Sequence, residues 1–283
     1  MADHGAVQEA AHEAALETAH GGQAAEHFDF VHMFHHLEDG VLVHLPTIKA
    51  GPVALDLSIT KVVLMMWIAG FVALVAFGAV ARRLSRDEKP RGTLTNLLES
   101  IILFIRDDIV YELMGKKDGK RYTPYFLTLF FFILFCNLLG LIPFMFTATA
   151  NIAVTATLAI MTFVLTQGSG IREQGLGHYL KNMVPPGMPI FLLPIMIPIE
   201  IIGHFIKPFA LTIRLFANMT AGHVVILSLF GLIFLFRMIA VALPAVAFVL
   251  FIDMLELFVA FLQSYIFVFL SVLFVSSAMH PEH

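Results

Sequence analysis

Hydrophobic residues along the chain gather into five long runs separated by polar stretches, and the runs approach or exceed the roughly 18 residues that mark a bilayer-spanning helix. They predict membrane passages over about residues 58–81, 124–146, 151–165, 193–236 and 241–275. The stretch from Thr93 to Met114 is different. Its Leu94, Leu97, Leu98, Ile101, Ile105 and Ile109 recur at three and four, Glu99, Arg106, Asp107 and Asp108 fill other positions, and Gly115 follows. That pattern predicts an amphipathic helix lying at the membrane interface rather than crossing it. The expected fold is therefore an all-α integral membrane protein with five passages and one interfacial helix. Residues 1–50 form a separate polar tail, rich in Ala, Glu and Gly, and residues 51–283 form the membrane domain.

The last two runs are too long for an upright passage. At 1.5 Å per residue they would make helices of about 65 Å and about 50 Å, against a hydrocarbon thickness of about 30 Å. Ordinary tilt tops out near roughly 40°. Either Pro208 and nearby glycines break the first of them, or the two form a steeply inclined hairpin turning about residue 240, near Ala240 to Pro244. The inclined hairpin is favoured because the polar residues align under it.

Composition sharpens this picture. Of 283 residues 59% are apolar and 13% charged, against about a quarter charged in an ordinary soluble domain, which excludes a cytosolic or secreted globular enzyme and a disordered chain. The single cysteine, Cys136, lies inside an apolar run, so no intrachain disulfide or Cys-based metal cluster can form. Eight of the 13 histidines fall in the tail, where His32, His35 and His36 have helical spacing without a Cys or carboxylate to complete a metal set. A solvated, mobile tail is expected, with no cleavable signal peptide. The net charge of −4 says less than the placement of Lys and Arg. Ten basic residues lie between Arg82 and Arg121, with Arg172 and Lys181 on the same side. This excess predicts that side to be cytoplasmic, with the N-terminus outside and the C-terminus cytoplasmic. No internal repeat is apparent, which weakens an inverted-repeat transporter.

Within the fourth run, Glu200, His204, Lys207, Arg214 and Asn218 are spaced by 4, 3, 7 and 4, which keeps all five on one narrow helical stripe. A charged residue deep in such a segment costs roughly 2.5–3.5 kcal/mol on insertion scales, and Arg cannot escape by losing its proton. Arg214 therefore needs a carboxylate. Lys207 reads equally well as a snorkelling anchor. Counting outward from the expected turn brings Glu256 opposite His223, Gln263 near the level of Arg214 to Ala217, and Asp253 nearer the turn. His223, Asp253 and Glu256 then lie on the non-cytoplasmic side of Arg214, and Glu200 with His204 on the cytoplasmic side. Two sets of proton-exchanging groups flank one fixed cation, as offset half-channels would require. No carboxylate of this chain stands clearly at the level of Arg214, so its partner is expected from another subunit, where an acid passing the guanidinium would be driven to ionise.

These residues carry a resemblance. Leu211 to His223 (LTIRLFANMTAGH) resembles the signature of subunit a of F-type ATP synthases, supported by NLLGLIP (Asn137 to Pro143), TANIAVT (Thr149 to Thr155) and the late Glu256 and Gln263. The likeness covers about residues 50–280. It implies that Arg214 matches the essential stator arginine, that Asn218 and Gln263 are its polar neighbours, and that Glu200 belongs to the cytoplasmic path. It implies further that His223 and Glu256 form the paired site of the other path, in the order seen in mitochondrial members. The implied partners are the c-ring, peripheral-stalk b-type subunits held partly through the interfacial helix, and membrane lipid, in a bacterial inner membrane.

The leading expectation is a proton-translocating stator subunit that does not itself catalyse ATP formation, having no GxxxxGK[ST] loop. No cofactor, metal or nucleic acid is expected. The alternative is a stand-alone proton- or sodium-coupled transporter. An intramembrane hydrolase lacks HExxH, a GxSxG elbow and a paired aspartate site.

Overall fold

The computed structural model describes residues 40–43, 48–50, 53–55, 58–84, 92–142, 147–182, 191, 193–236 and 238–280. Five of its helical segments are long and apolar enough to cross a membrane, which bears out the all-α integral membrane class. Two small β ribbons precede them, an element not anticipated from the polar tail. β1 (Val41–Val43) pairs antiparallel with β4 (Ile59–Thr60), and β2 (Ile48–Ala50) pairs antiparallel with β3 (Val53–Leu55). His32, His35, His36 and the rest of residues 1–39 lie outside the described residues.

Helix α1 spans Lys61–Leu84 and begins three residues later than expected, because Ile59 and Thr60 belong to β4. The Thr60 hydroxyl accepts a hydrogen bond from the backbone N–H of Val63 at 3.4 Å, covering one of the donors a helix start leaves unpaired. Helix α2 spans Thr93–Leu103 and runs into a π-helical segment, Phe104–Tyr111. The helical path then breaks at Gly115, whose φ of 74° and ψ of 160° suit a residue without Cβ. Ile105, Ile109, Val110 and Met114 are buried, whereas Leu97 faces outward. Past that kink α3, assigned as Glu112–Gly140, carries Lys116, Lys117, Lys120 and Arg121 inside the helix rather than ahead of it. It ends six residues before the expected Phe146.

A 3₁₀ turn at Ala148–Ala150 leads into α4, Ile152–Gln174, capped by the Asn151 side chain accepting from Ala153 N at 2.9 Å. This helix continues nine residues past the expected Leu165. The polar residues there remain helical because they find partners. Thr166 donates to the Thr162 carbonyl at 2.8 Å, Ser169 to the Thr166 carbonyl at 2.9 Å, and Gln167 accepts from the Tyr179 hydroxyl of the short α5, Leu176–Asn182.

The last two helices are α6, Leu193–Phe236, 44 residues, and α7, Ile239–Met279, 41 residues. α6 is helical throughout despite Pro198 and Pro208. A proline removes the bond its N–H would make to the carbonyl four residues before it, here His204, and one turn later Thr212 donates its hydroxyl to the Pro208 carbonyl at 2.9 Å. At about 66 Å and about 62 Å both exceed a bilayer's hydrocarbon thickness twofold. α6 ends at Phe236 and α7 begins at Ile239, which puts the reversal slightly before the expected 240–244.

The core lies where α3 meets α7. Phe126, Phe130, Phe131 and Ile133 of α3 are fully buried with Phe267, Val268 and Val272 of α7. Phe130 meets Phe261 edge-to-face at 5.7 Å, and Phe77 of α1 meets Phe131 at 4.6 Å. In lipid such contacts hold helices by close packing, since a hydrocarbon surround offers apolar side chains no penalty to escape. The outer faces of α6 and α7 remain apolar and open, with Phe205, Phe209, Leu243, Met254 and Phe258 all exposed.

Candidate functional site

The polar residues of α6 and α7 are set by one antiparallel register. Asn218 donates through Nδ2 to Gln263 Oε1 at 2.9 Å, and one helical path further along Lys207 Nζ lies 5.4 Å from the Phe274 ring centre. Both pairs share the same offset, which puts buried Phe267 across from Arg214 and, among the described residues, no carboxylate at its level on α7. Lys207 thus packs as a cation over an aromatic face. Toward the turn Glu256 reaches α6 at Gly222, where a Cβ would run into the carboxylate.

Arg214 is exposed and, among the described residues, has no hydrogen-bond or ion-pair partner. Ala210, Ala217 and Ala221 flank it, all exposed and all small. Asn218, one turn away, ties this face to Gln263, whose side chain is 2% exposed. A buried amide must be paired, and this bond pairs it.

His223 and Glu256 come to the same level but do not bond each other. The His223 Nε2 is hydrogen-bonded to Thr147 Oγ1 at 2.5 Å, and His223 is half-buried. Asp253 lies one turn before Glu256 on α7 and is exposed. Toward the other end of α6, His204 is half-buried, while the Glu200 side chain lies outside the described ones. Along the axis, Glu200 and Arg214 are separated by about 21 Å and Arg214 and His223 by about 14 Å. Positions 200, 204, 207, 214 and 218 therefore lie along one continuous helix, and His223, nine residues past Arg214, is turned about 180° from it around the same helix.

Sequence reasoning did not single out the polar node behind this face. Asn137 of α3 is fully buried; its Nδ2 donates to the Ala260 carbonyl of α7 at 3.1 Å and its Oδ1 accepts from Thr149 Oγ1 at 2.6 Å. Ser264 donates to the same Ala260 carbonyl at 2.9 Å. Gly140 lets Thr147 lie against α3, since a Cβ there would overlap the Thr147 side chain. The 3₁₀ turn between α3 and α4 thereby joins three helices: Thr149 to α3 and through it α7, and Thr147 to α6. The available signals were a lone amide deep in an apolar run, Asn137, and the segments NLLGLIP and TANIAVT, which open on Asn137 and Thr149. No group of three or more His, Cys, Asp or Glu among the described residues could hold a metal ion.

The family model described as ATP synthase A chain matches residues 63–276. ATP synthase subunit a of Chloroherpeton thalassium is 48% identical over 261 residues, covering 88% of this chain and 77% of that protein. The subunit a of Myxococcus xanthus is 51% identical over 229 residues, covering 81% and 75%. That of Anaeromyxobacter dehalogenans is 45% identical over 296 aligned positions, covering 95% and 76%.

Proposed function

This chain belongs to the ATP synthase A chain family, and on that premise we propose that Arg214 stands between two offset half-channels serving a rotating ring of carboxylates. The chain is a non-catalytic, ion-translocating membrane subunit that assembles with other subunits of an ATP synthase. The observation that carries the finer reading is the state of Arg214: a permanent cation on an apolar helix, open on its outer side and unpaired among the described residues. A guanidinium left against hydrocarbon is costly, so its counter-charge comes from a partner. The alanines around it, Ala210, Ala217 and Ala221, let a neighbouring helix approach closely.

In this mechanism a proton enters from the non-cytoplasmic side through Asp253, Glu256 and His223 and neutralises a c-ring carboxylate. The neutral acid then rides through lipid, which an ionised one could not do cheaply. Reaching Arg214 it ionises, because an opposite charge within a few Å favours the carboxylate, and its proton leaves by His204 and Glu200 to the cytoplasm. The cation also blocks a direct passage. Two like unit charges about 4 Å apart at an effective dielectric near 20 repel by about 4 kcal/mol, nearly a thousandfold depletion of protons beside Arg214. Asn218 and Gln263 hold the helix faces together beside the cation, so the ring meets a fixed surface.

The subunit sits in the cytoplasmic membrane of a bacterium, N-terminus outside and C-terminus cytoplasmic, as the basic residues between Arg82 and Arg121 favour. Peripheral-stalk b-type subunits dock against the helical stretch from Thr93 to Met114. The test is Arg214→Ala in the assembled synthase, with assembly checked by co-purification. Proton-driven ATP synthesis is expected to vanish, and a normal rate would overturn the assignment.

A further inference from the structure

We propose that Thr147 is a positioning residue for His223, holding the imidazole in one orientation for proton exchange. The inference rests on the reading of His223 as a member of the entry path. Five observations carry it. Thr147 is 2% exposed, and its hydroxyl meets His223 Nε2 at 2.5 Å, while His223 makes no other hydrogen bond among the described residues. Glu256, the natural rival for orienting the ring, instead packs against Gly222. Gly140 supplies the space on α3 that the Thr147 side chain occupies, so the hydroxyl has one place to be.

The platform under Thr147 is itself anchored. Its carbonyl accepts from Ala150 N at 3.0 Å, Asn151 N bonds the Ala148 carbonyl at 3.2 Å, and Thr149 is tied to Asn137 at 2.6 Å. A threonine on such a turn is less free than one on a mobile loop, and its bond keeps Nε2 engaged whichever ring nitrogen carries the proton. If the hydroxyl donates, neutral His223 is protonated at Nδ1; if it accepts, at Nε2. In either case Nδ1, which has no partner among the described residues, is left as the nitrogen that exchanges its proton with the path. A ring free to rotate would present that nitrogen only part of the time.

The experiment uses the assembled synthase in vesicles, reading passive proton passage after removal of the soluble catalytic part. Thr147→Val keeps the shape and removes the hydroxyl; passage is expected to fall roughly tenfold or more, the size of effect misplaced reacting groups produce. Thr147→Ser restores the hydroxyl and is expected to restore most of the rate. In a His223→Ala background, Thr147→Val is expected to add no further loss, since it acts only through the ring. Normal passage in Thr147→Val overturns the proposal. So does a Thr147→Ser variant as slow as Thr147→Val, or additive losses in the double variant. Should Thr147→Val fail to assemble, Thr147→Cys carries the test, with slowed passage supporting the proposal and a normal rate overturning it. Normal passage in His223→Ala alone would undo the reading of His223 itself, whatever Thr147 does.

Discussion

Gly222 and Gly203 lie on the same helix and differ in what a methyl group would meet. A Cβ at Gly203 finds nothing within 4 Å, whereas one at Gly222 runs into the Glu256 carboxylate. Gly203→Ala is therefore expected to stabilise α6 by about 0.5–1 kcal/mol, the usual backbone-entropy gain in a helix, and to leave proton passage unchanged. Gly222→Ala is expected to displace Glu256 and slow proton-driven ATP synthesis several-fold with the complex still assembled. Paired thermal unfolding and synthesis rates check both; equal behaviour of the two variants would mean Glu256 is not held there. At this scale the sequence showed some residues and hid others for a physical reason. Arg214, Glu256 and Gln263 stand out because a charge or amide in an apolar run is costly and rare. Thr147 and Thr149 do not, because a hydroxyl in a membrane helix usually bonds its own backbone, as Thr166, Thr212 and Ser271 do here. Nothing in the sequence distinguishes such a threonine from one that meets a neighbour 76 residues away.

Helix ends and pairing differ in the same way. The break at Gly115 was legible from the residue type, and the α6–α7 register was legible from the spacing of polar residues around one turn. The ends of α3 and α4 were not, since they depend on partners such as Tyr179 for Gln167 that only packing supplies. The β ribbons before α1 were likewise hidden in a segment whose composition reads as tail. Nor could proline content decide whether α6 is whole; the helix runs on through both Pro198 and Pro208. The register makes a sharp prediction. Cysteines at 218 and 263 face each other and are expected to crosslink readily under mild oxidation. The pair 210 and 263 is offset by two turns, about 12 Å along the axis, and is expected not to, because a disulfide cannot bridge Cα atoms more than about 7 Å apart. Crosslinking of the second pair in preference to the first would contradict the register.

As a whole molecule the chain is a half-finished object: α3 and α7 bury a dense aromatic core while α6 and α7 present an open apolar face that carries Arg214. Five passages and the unusual length of the final pair could be read from hydropathy alone, because bilayer thickness sets helix length. How the helices pack could not, since in lipid nearly every side is apolar and pattern ceases to mark the core. The central claim is that Arg214 keeps two proton paths apart, and it is tested most directly by proton leakage when the ring cannot turn. With the c-ring crosslinked to this subunit in vesicles, the complex bearing Arg214 is expected to be tight to protons, and the same crosslinked complex with Arg214→Ala is expected to leak. Equal tightness in both would contradict the account.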